Sequence, residues 1–411
     1  MISIIYLILA ITFYFLIYVK SKDKLHPLGI GVLLWFLACS LSSYDVFFDS
    51  NLQVHLSTET HICMLLAGFF YSIPFIFSKK RNKELFITQR IYFSSTYILV
   101  FNLLLCLTII AFFIRFRTEI SNPALFTKEA MGDLKSTIPD ALPGLHYIEL
   151  LTPYLAILAY LEMRMSLHIR RKRYILLVAY IFYSIITAIL YKVSRGELLI
   201  FVLGYLYIFF SCNLKQKNFN KIIILSVFIA IFIFVGITRI SDESRVSTQF
   251  GSGTLNTIFS QFYTYIAMNF QNLNSIVSST TEPTYIWGSL KFFLRPFFSN
   301  EYDMNELGLL DDSVLFFNAK TFLYYFYNDL GIAGVILYPL IIGLILQAFY
   351  NAYCKDIKYL AMLAPLMKAI VFMFFGNYFF GELVLLTPYF IVFLFISMMQ
   401  TKNESTSKNT N

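Results

Sequence analysis

Long apolar runs alternate with short polar ones along this chain, and most of the apolar runs share one length. A helix that crosses about 30 Å of hydrocarbon needs roughly 20 residues. Eleven runs are of about that length: 2–19, 28–46, 61–77, 91–114, 146–163, 174–191, 196–212, 221–238, 331–352, 359–377 and 379–399. They predict an all-α polytopic membrane protein of about 11 transmembrane helices, with residues 1–400 as one integral membrane domain and 401–411 as a short polar tail for which disorder is the default. The pattern breaks once. Residues 239–321 are polar over a length no other loop approaches, which predicts a large extracytoplasmic loop containing short helices.

Part of that loop is itself patterned. Over 254–279, Ile258, Phe259, Phe262, Tyr263, Ile266, Phe270 and Leu273 alternate with Gln261, Thr264, Asn269, Gln271, Asn272 and Asn274. So many amides make a lipid-facing span costly, and the stretch reads as an interfacial or re-entrant helix lying against the bundle. It is therefore not counted as a span.

Charge supplies the orientation, because cytoplasmic loops of membrane proteins collect lysine and arginine. One alternate set of short loops, with the tail, holds 20 of the 32 basic residues, in groups around Lys20–Lys24, Lys79–Arg90, Arg164–Arg173, Lys215–Lys221, Lys355–Lys358 and Lys402–Lys408. The other set comprises an acidic linker (Asp45, Asp49, Glu59), the mixed loop 115–145, the tight turn Lys192–Glu197 and the long polar stretch. This predicts a bacterial inner-membrane protein with a periplasmic N-terminus and a cytoplasmic C-terminus. The first run lacks a basic leader and a small-residue cleavage pattern, so it reads as a retained anchor.

Composition agrees with this class. The chain is 58% hydrophobic and 14% charged with a mean hydropathy of +0.67, unlike a soluble domain. Its net charge of +8 would suggest nucleic acid in a soluble protein, but the basic residues sit between spans, so no nucleic-acid partner is expected. Cys39, Cys63, Cys106, Cys212 and Cys354 lie in or at the ends of apolar runs without metal-ligand spacing. No metal and no cofactor is expected.

Candidate chemistry gathers on the loops expected outside. Lys192 and Arg195 occupy an outward turn, against the charge bias, and adjacent Gly196 permits close backbone approach. Together they suit an anion, since a guanidinium offers a planar fork of donors to phosphate oxygens. Arg239 emerges on the same face, with Asp242, Glu243 and Arg245 after it. The long stretch carries five basic against eight acidic residues, so its arginines are not part of a basic field. Arg295 lies in an aromatic frame of Phe292, Phe293, Phe297 and Phe298. Candidate proton acceptors are Asp242 and Glu243, kept ionised by flanking arginines, and His146, with Glu149 one turn on. Glu301, Asp303, Asp311 and Asp312 stay open as further candidates. Lys368, near the middle of a predicted span, marks a cavity or a pairing partner, for which Glu382 is available.

Taken together, these residues resemble the Wzy-type oligosaccharide repeat-unit polymerases. The likeness rests on the multi-span layout, the Ser194-Arg195-Gly196 turn and the arginine-bearing outer loop. The spacings from Arg239 to Gly251 and from Arg295 to Gly308 are longer than the family's arginine-to-glycine spacing. The related O-antigen ligases use a histidine in the large outer loop, and 239–321 has none. The resemblance implies a metal-independent, membrane-embedded, GT-C-like glycosyltransferase of O-antigen or capsule biosynthesis. Its donor and acceptor would both be undecaprenyl-diphosphate-linked oligosaccharides. Lys192, Arg195, Arg239, Arg245 and Arg295 would then bind diphosphate or sugar acid, membrane lipid would surround the protein, and a chain-length regulator would be a possible partner. A flippase of the same lipid-linked sugar is the alternative from another class, and a ligase is the alternative within it.

Overall fold

The computed structural model describes residues 2–44, 53–81, 89–120, 144–192, 194–212, 263, 265–279, 283–286, 289, 319–379 and 383–403. The described chain is mostly helical and divides into two compact units. The first comprises residues 1–81, 245–351 and 369–386, the second 82–244, 352–368 and 387–411. Among the described residues, five helices are long and apolar enough to cross a membrane: Ile2–Ser21, Thr58–Phe77, Ser95–Arg115, Arg171–Tyr191 and Ile332–Tyr353. Shorter apolar helices occupy Pro27–Ser42, Gly196–Cys212 and Leu386–Ser397. Each coincides with one of the apolar runs. The run 221–238 and most of the long polar stretch lie outside the described residues, as do Arg239, Asp242, Glu243, Arg245, Arg295 and Glu382.

In the first unit, α1 (Ile2–Ser21) shows how one helix serves lipid and protein at once. Tyr6, Ala10 and Ile17 are buried, while Ile4, Ile8, Ile11 and Phe15 are exposed on the opposite side, the spacing a 3.6-residue period requires. α2 (Pro27–Ser42) starts on a proline, whose missing N–H costs nothing at a first position. α3 (Thr58–Ser72) is capped by Ser57 Oγ, which accepts from the Thr60 N–H at 3.1 Å. Trp35 lies at the centre of this core, donating to the Met64 carbonyl at 3.0 Å between the rings of Phe270 and Phe322.

The second unit begins with β1 (Gln89–Phe93) and α4 (Ser95–Arg115). It continues through α5 (Leu145–Glu149), α6 (Thr152–Met165), α7 (Arg171–Ile186) and α8 (Arg195–Cys212). α6 is its axis, buried along almost its whole length. The buried Glu162 on α6 accepts from Nε and Nη2 of Arg173, at 2.8 and 2.9 Å, a bidentate geometry that offsets the desolvation of both charges.

Four short segments meet at one end of the second unit. β1 pairs antiparallel with β2 (Met399–Asn403), placing Arg90 opposite Lys402. Ile91 bridges to Ser166 and accepts from the Leu167 N–H at 3.2 Å. The Gln89 side chain accepts from the Ile357 N–H at 3.4 Å, and Thr401 donates to Asp356. The sequence pattern placed 91–93 inside a span; instead those residues form a strand edge before Ser94 caps α4 by accepting from the Tyr97 N–H.

Three further elements differ from their sequence reading. The run 359–377 gives a helix only over α12 (Leu360–Val371; α9, α10 and α11 are Asn269–Ser278, Phe322–Leu330 and Ile332–Tyr353), followed by turns. The run 146–163 is not one straight helix but α5 and α6, interrupted at Leu150 and Leu151. Pro153 has no N–H for the Glu149 carbonyl, and the Thr152 hydroxyl donates to that carbonyl at 2.7 Å instead. The amides of α9 are also not turned to water. Gln271, Asn272 and Asn274 are buried together with Phe270 and Leu273, so the helix is packed in protein on both kinds of side chain.

Candidate functional site

The sequence candidates that the structure describes come together in the second unit, at the ends of helices remote in sequence from the strand pair. α7 does not stop at Ile186. It continues as a π-turn, Thr187–Tyr191, in which the Lys192 N–H reaches back to the Thr187 carbonyl at 2.9 Å. The Thr187 hydroxyl donates to the carbonyls of Tyr183 and Ser184, drawing off the acceptors of the regular ladder. The chain then turns through Ser194 into α8, with Arg195 at its first helical position.

Ser194 Oγ accepts from the Glu197 N–H at 3.3 Å, as a helix cap does. In the full capping box the glutamate three residues on returns to the cap's own N–H. Here that N–H already donates to the Ala188 carbonyl at 3.0 Å, and the Glu197 carboxylate turns to Lys192 Nζ, at 3.0 and 3.2 Å. Both partners are nearly out of water, with side chains 7% and 14% exposed. Lys192, expected to offer its charge to a ligand, is thus already neutralised by Glu197.

Lys368 also reaches this turn. It lies on α12, and its Nζ is 3.3 Å from where a Cβ on Gly196 would stand. A side chain at 196 would press on the ammonium, so glycine is what lets this cation approach the first turn of α8. Glu197 attracts it electrostatically. Glu382 lies outside the described residues, and Glu197 is the acidic neighbour seen here. Glu197 thus pairs with Lys192 and acts electrostatically on Lys368, with Arg195 in the same turn. All stand at the end of an 18-residue helix whose dipole already favours anions. Cations at a helix N-terminus are at the unfavourable end unless an anion joins them.

A second polar group adjoins the first. Glu149, at the end of α5, accepts from Arg115 Nη1 at 2.6 Å, and Arg115 also lies over the Phe116 ring. His146, the predicted base, sits one turn before Glu149 with Nδ1 buried and without a hydrogen-bond partner. Glu149 and Glu197 both act on the Tyr183 hydroxyl, which donates to the Thr108 carbonyl at 3.3 Å. Tyr183 is thus common to the two groups.

Lys192, Arg195 and His146 are brought into one region, joined by Glu149, Glu197 and Lys368. The serine-to-glutamate spacing at 194–197 was the signal for Glu197. A capped helix start would have put that carboxylate beside Lys192. Comparison with protein-family models, curated proteins and solved structures returns no match to this chain.

Proposed function

We propose that this protein polymerises lipid-linked oligosaccharide repeat units. It would transfer the growing polysaccharide from undecaprenyl diphosphate to the next undecaprenyl-diphosphate-linked unit, at the outer face of a bacterial inner membrane. The reading includes the eleven-span layout, with the N-terminus outside and the C-terminus in the cytoplasm. The observation that carries it is the gathering of basic residues at the first turn of α8, where Lys368 Nζ approaches Gly196 beside the Lys192–Glu197 pair and Arg195 begins the helix.

A diphosphate suits such a site on three counts. Its oxygens match guanidinium and ammonium donors, it satisfies the N-terminal dipole, and it relieves repulsion among the cations. As the bond from the sugar to the diphosphate breaks, negative charge grows on the leaving oxygen, and preplaced cations stabilise that growth without needing a metal. Arg239, Arg245 and Arg295 belong to the same proposal as further diphosphate or sugar-acid ligands, with Asp242 and Glu243 as candidate acceptors of the proton. The exposed apolar flanks of the spanning helices leave room for a polyprenyl chain beside the protein.

The test is incubation of the purified protein with its lipid-linked repeat unit, without nucleotide sugar. A ladder of products supports polymerase, and transfer to a different lipid acceptor supports ligase. A second reading, flipping of the same lipid, draws on Pro339, Pro365 and Pro388, which lie inside α11, α12 and α13 (Leu383–Ser397). An internal proline removes one ladder hydrogen bond and favours a kink, and interrupted helices commonly form the sites of transporters. Movement of the lipid across vesicles with no new glycosidic bond would select that reading.

A further inference from the structure

Glu149 is 2% exposed, yet only half of its carboxylate is satisfied. Oε2 accepts from Arg115 at 2.6 Å, while Oε1 is buried with no hydrogen-bond partner. An unmatched oxygen of a buried carboxylate is expensive. The same unit shows the satisfied alternative in Glu162, whose two oxygens both accept from Arg173. One turn before Glu149, on the same side of α5, His146 Nδ1 is also buried and unpartnered. Two buried polar atoms of one short helix thus lack hydrogen-bond partners. The backbone there is fixed by the Pro153 interruption and by the Thr152 hydroxyl on the Glu149 carbonyl.

A neutral hydroxyl fits this pair better than an ion. It can donate to Oε1 without adding charge next to Arg115, and its oxygen can accept from the imidazole if Nδ1 carries the proton. Among the described residues Arg115 pairs with the Glu149 carboxylate, and Glu149 and Glu197 both act electrostatically on Tyr183, so the two acidic groups belong to one region of the second unit. We propose that Glu149 binds the attacking hydroxyl of the acceptor sugar and is the proton acceptor of the transfer, an inference that rests on the polymerase reading. The acceptor oxygen forms its bond to the anomeric carbon of the donor as the bond from that carbon to the diphosphate oxygen breaks. The bonding pair leaves with undecaprenyl diphosphate among the cations. The hydroxyl proton passes to Glu149 Oε1 and from there to solvent or to the departing diphosphate. Arg115 is a positioning residue that fixes the carboxylate through Oε2.

Glu149→Gln keeps shape and an acceptor for Arg115 but removes the basic oxygen. Glu149→Asp keeps the charge and withdraws it by one methylene. With lipid-linked repeat unit from the source membranes, Glu149→Gln is expected to lower the polymerisation rate by about 100-fold or more, and Glu149→Asp by about 10-fold. Binding of undecaprenyl diphosphate should stay within about threefold of wild type in both, which also reports that they are folded. Formate should restore part of the rate to Glu149→Ala, which a purely structural glutamate would not permit. A wild-type ladder from either folded variant overturns the assignment of Glu149 and leaves the polymerase reading intact. No ladder from the wild-type protein overturns both.

Discussion

Lys368 illustrates how a residue can be conspicuous in sequence while its role depends on a partner far along the chain. A lone lysine in an apolar run signals a cavity or a pair, but only the fold brings it to Gly196 and Glu197. A hydrogen bond between charged groups contributes about 1.5–3 kcal/mol, or roughly 10–100-fold in affinity. Lys368→Met and Arg195→Ala are each expected to weaken undecaprenyl diphosphate binding in detergent micelles by that factor. Equal affinity in both variants would remove the anion site. His26 makes a separate prediction at this scale. Its ring is buried, Nε2 lies 3.1 Å from Ser78 Oγ, and its centroid is 3.9 Å from that of Tyr350. Beyond Tyr350, its hydroxyl donates to Asp23, which pairs with Arg81 at 3.1 Å. Burial pushes the pKa of His26 from 6.5 down to about 3. The folded protein therefore holds it neutral while the unfolded chain takes up a proton below 6.5. The associated stability is complete above that pH and is lost as pH falls toward 3, by up to about 1.4 kcal/mol per unit. Melting temperatures of wild type and His26→Gln, followed from pH 7 to 4, should converge as pH falls. A constant gap would contradict the linkage.

At the scale of elements, the apolar runs were legible because their length is set by the bilayer and by the helical rise alone. What escaped them was set by partners. The strands β1 and β2 lie at the ends of apolar runs that periodicity extends into helix, and each exists because the other is there. The break between α5 and α6 was written in Thr152-Pro153, yet the sequence does not say that the hydroxyl would replace the missing N–H at Glu149. The amides of α9 are the clearest case, since a pattern shows polarity but not what satisfies it. Gln271 both accepts from the Val54 N–H at 3.1 Å and donates to the Val54 carbonyl at 3.0 Å, as a neighbouring strand would. Asn274 accepts from the Ser57 N–H at 2.7 Å and from the Thr60 hydroxyl at 2.8 Å. α9 is therefore a clamp on the segment leading into α3. Removing either amide leaves a part-buried N–H of this segment without its partner, at a cost of about 1 kcal/mol. Gln271→Leu and Asn274→Leu should each speed amide exchange over 53–57 several-fold. Unchanged exchange would show that the segment is held by other contacts.

For the molecule as a whole, the sidedness of the loops can be argued from contacts as well as from charge. Residues 89–93 hydrogen-bond with 399–403, with Leu167 and with Ile357, so all four segments must share one side of any membrane the chain crosses. These are the places where Arg90, Arg164, Arg170–Arg173, Lys355, Lys358 and Lys402 cluster, the residues that charge bias assigns to the cytoplasm. Shared sidedness also fixes parity, because an even number of spans must separate any two of them. The apolar runs satisfy this, with two runs between residues 89 and 167, six before Ile357 and eight before residue 399. Counting 254–279 as a further span would make the last two numbers odd and place paired strands on opposite sides. Were all eleven runs to cross, the two ends of the chain would fall on opposite sides, since the N-terminus is three runs before residue 89. A fluorescent protein fused after residue 403 should therefore be bright in the cytoplasm, and alkaline phosphatase fused there inactive. Alkaline phosphatase should be active when inserted after residue 120 or after residue 279, on the side of the proposed site. Activity after 403 would break the parity argument, and inactivity after 120 would put Arg115, Glu149 and Lys192 on the cytoplasmic side, where a polymerase of exported sugar could not use them.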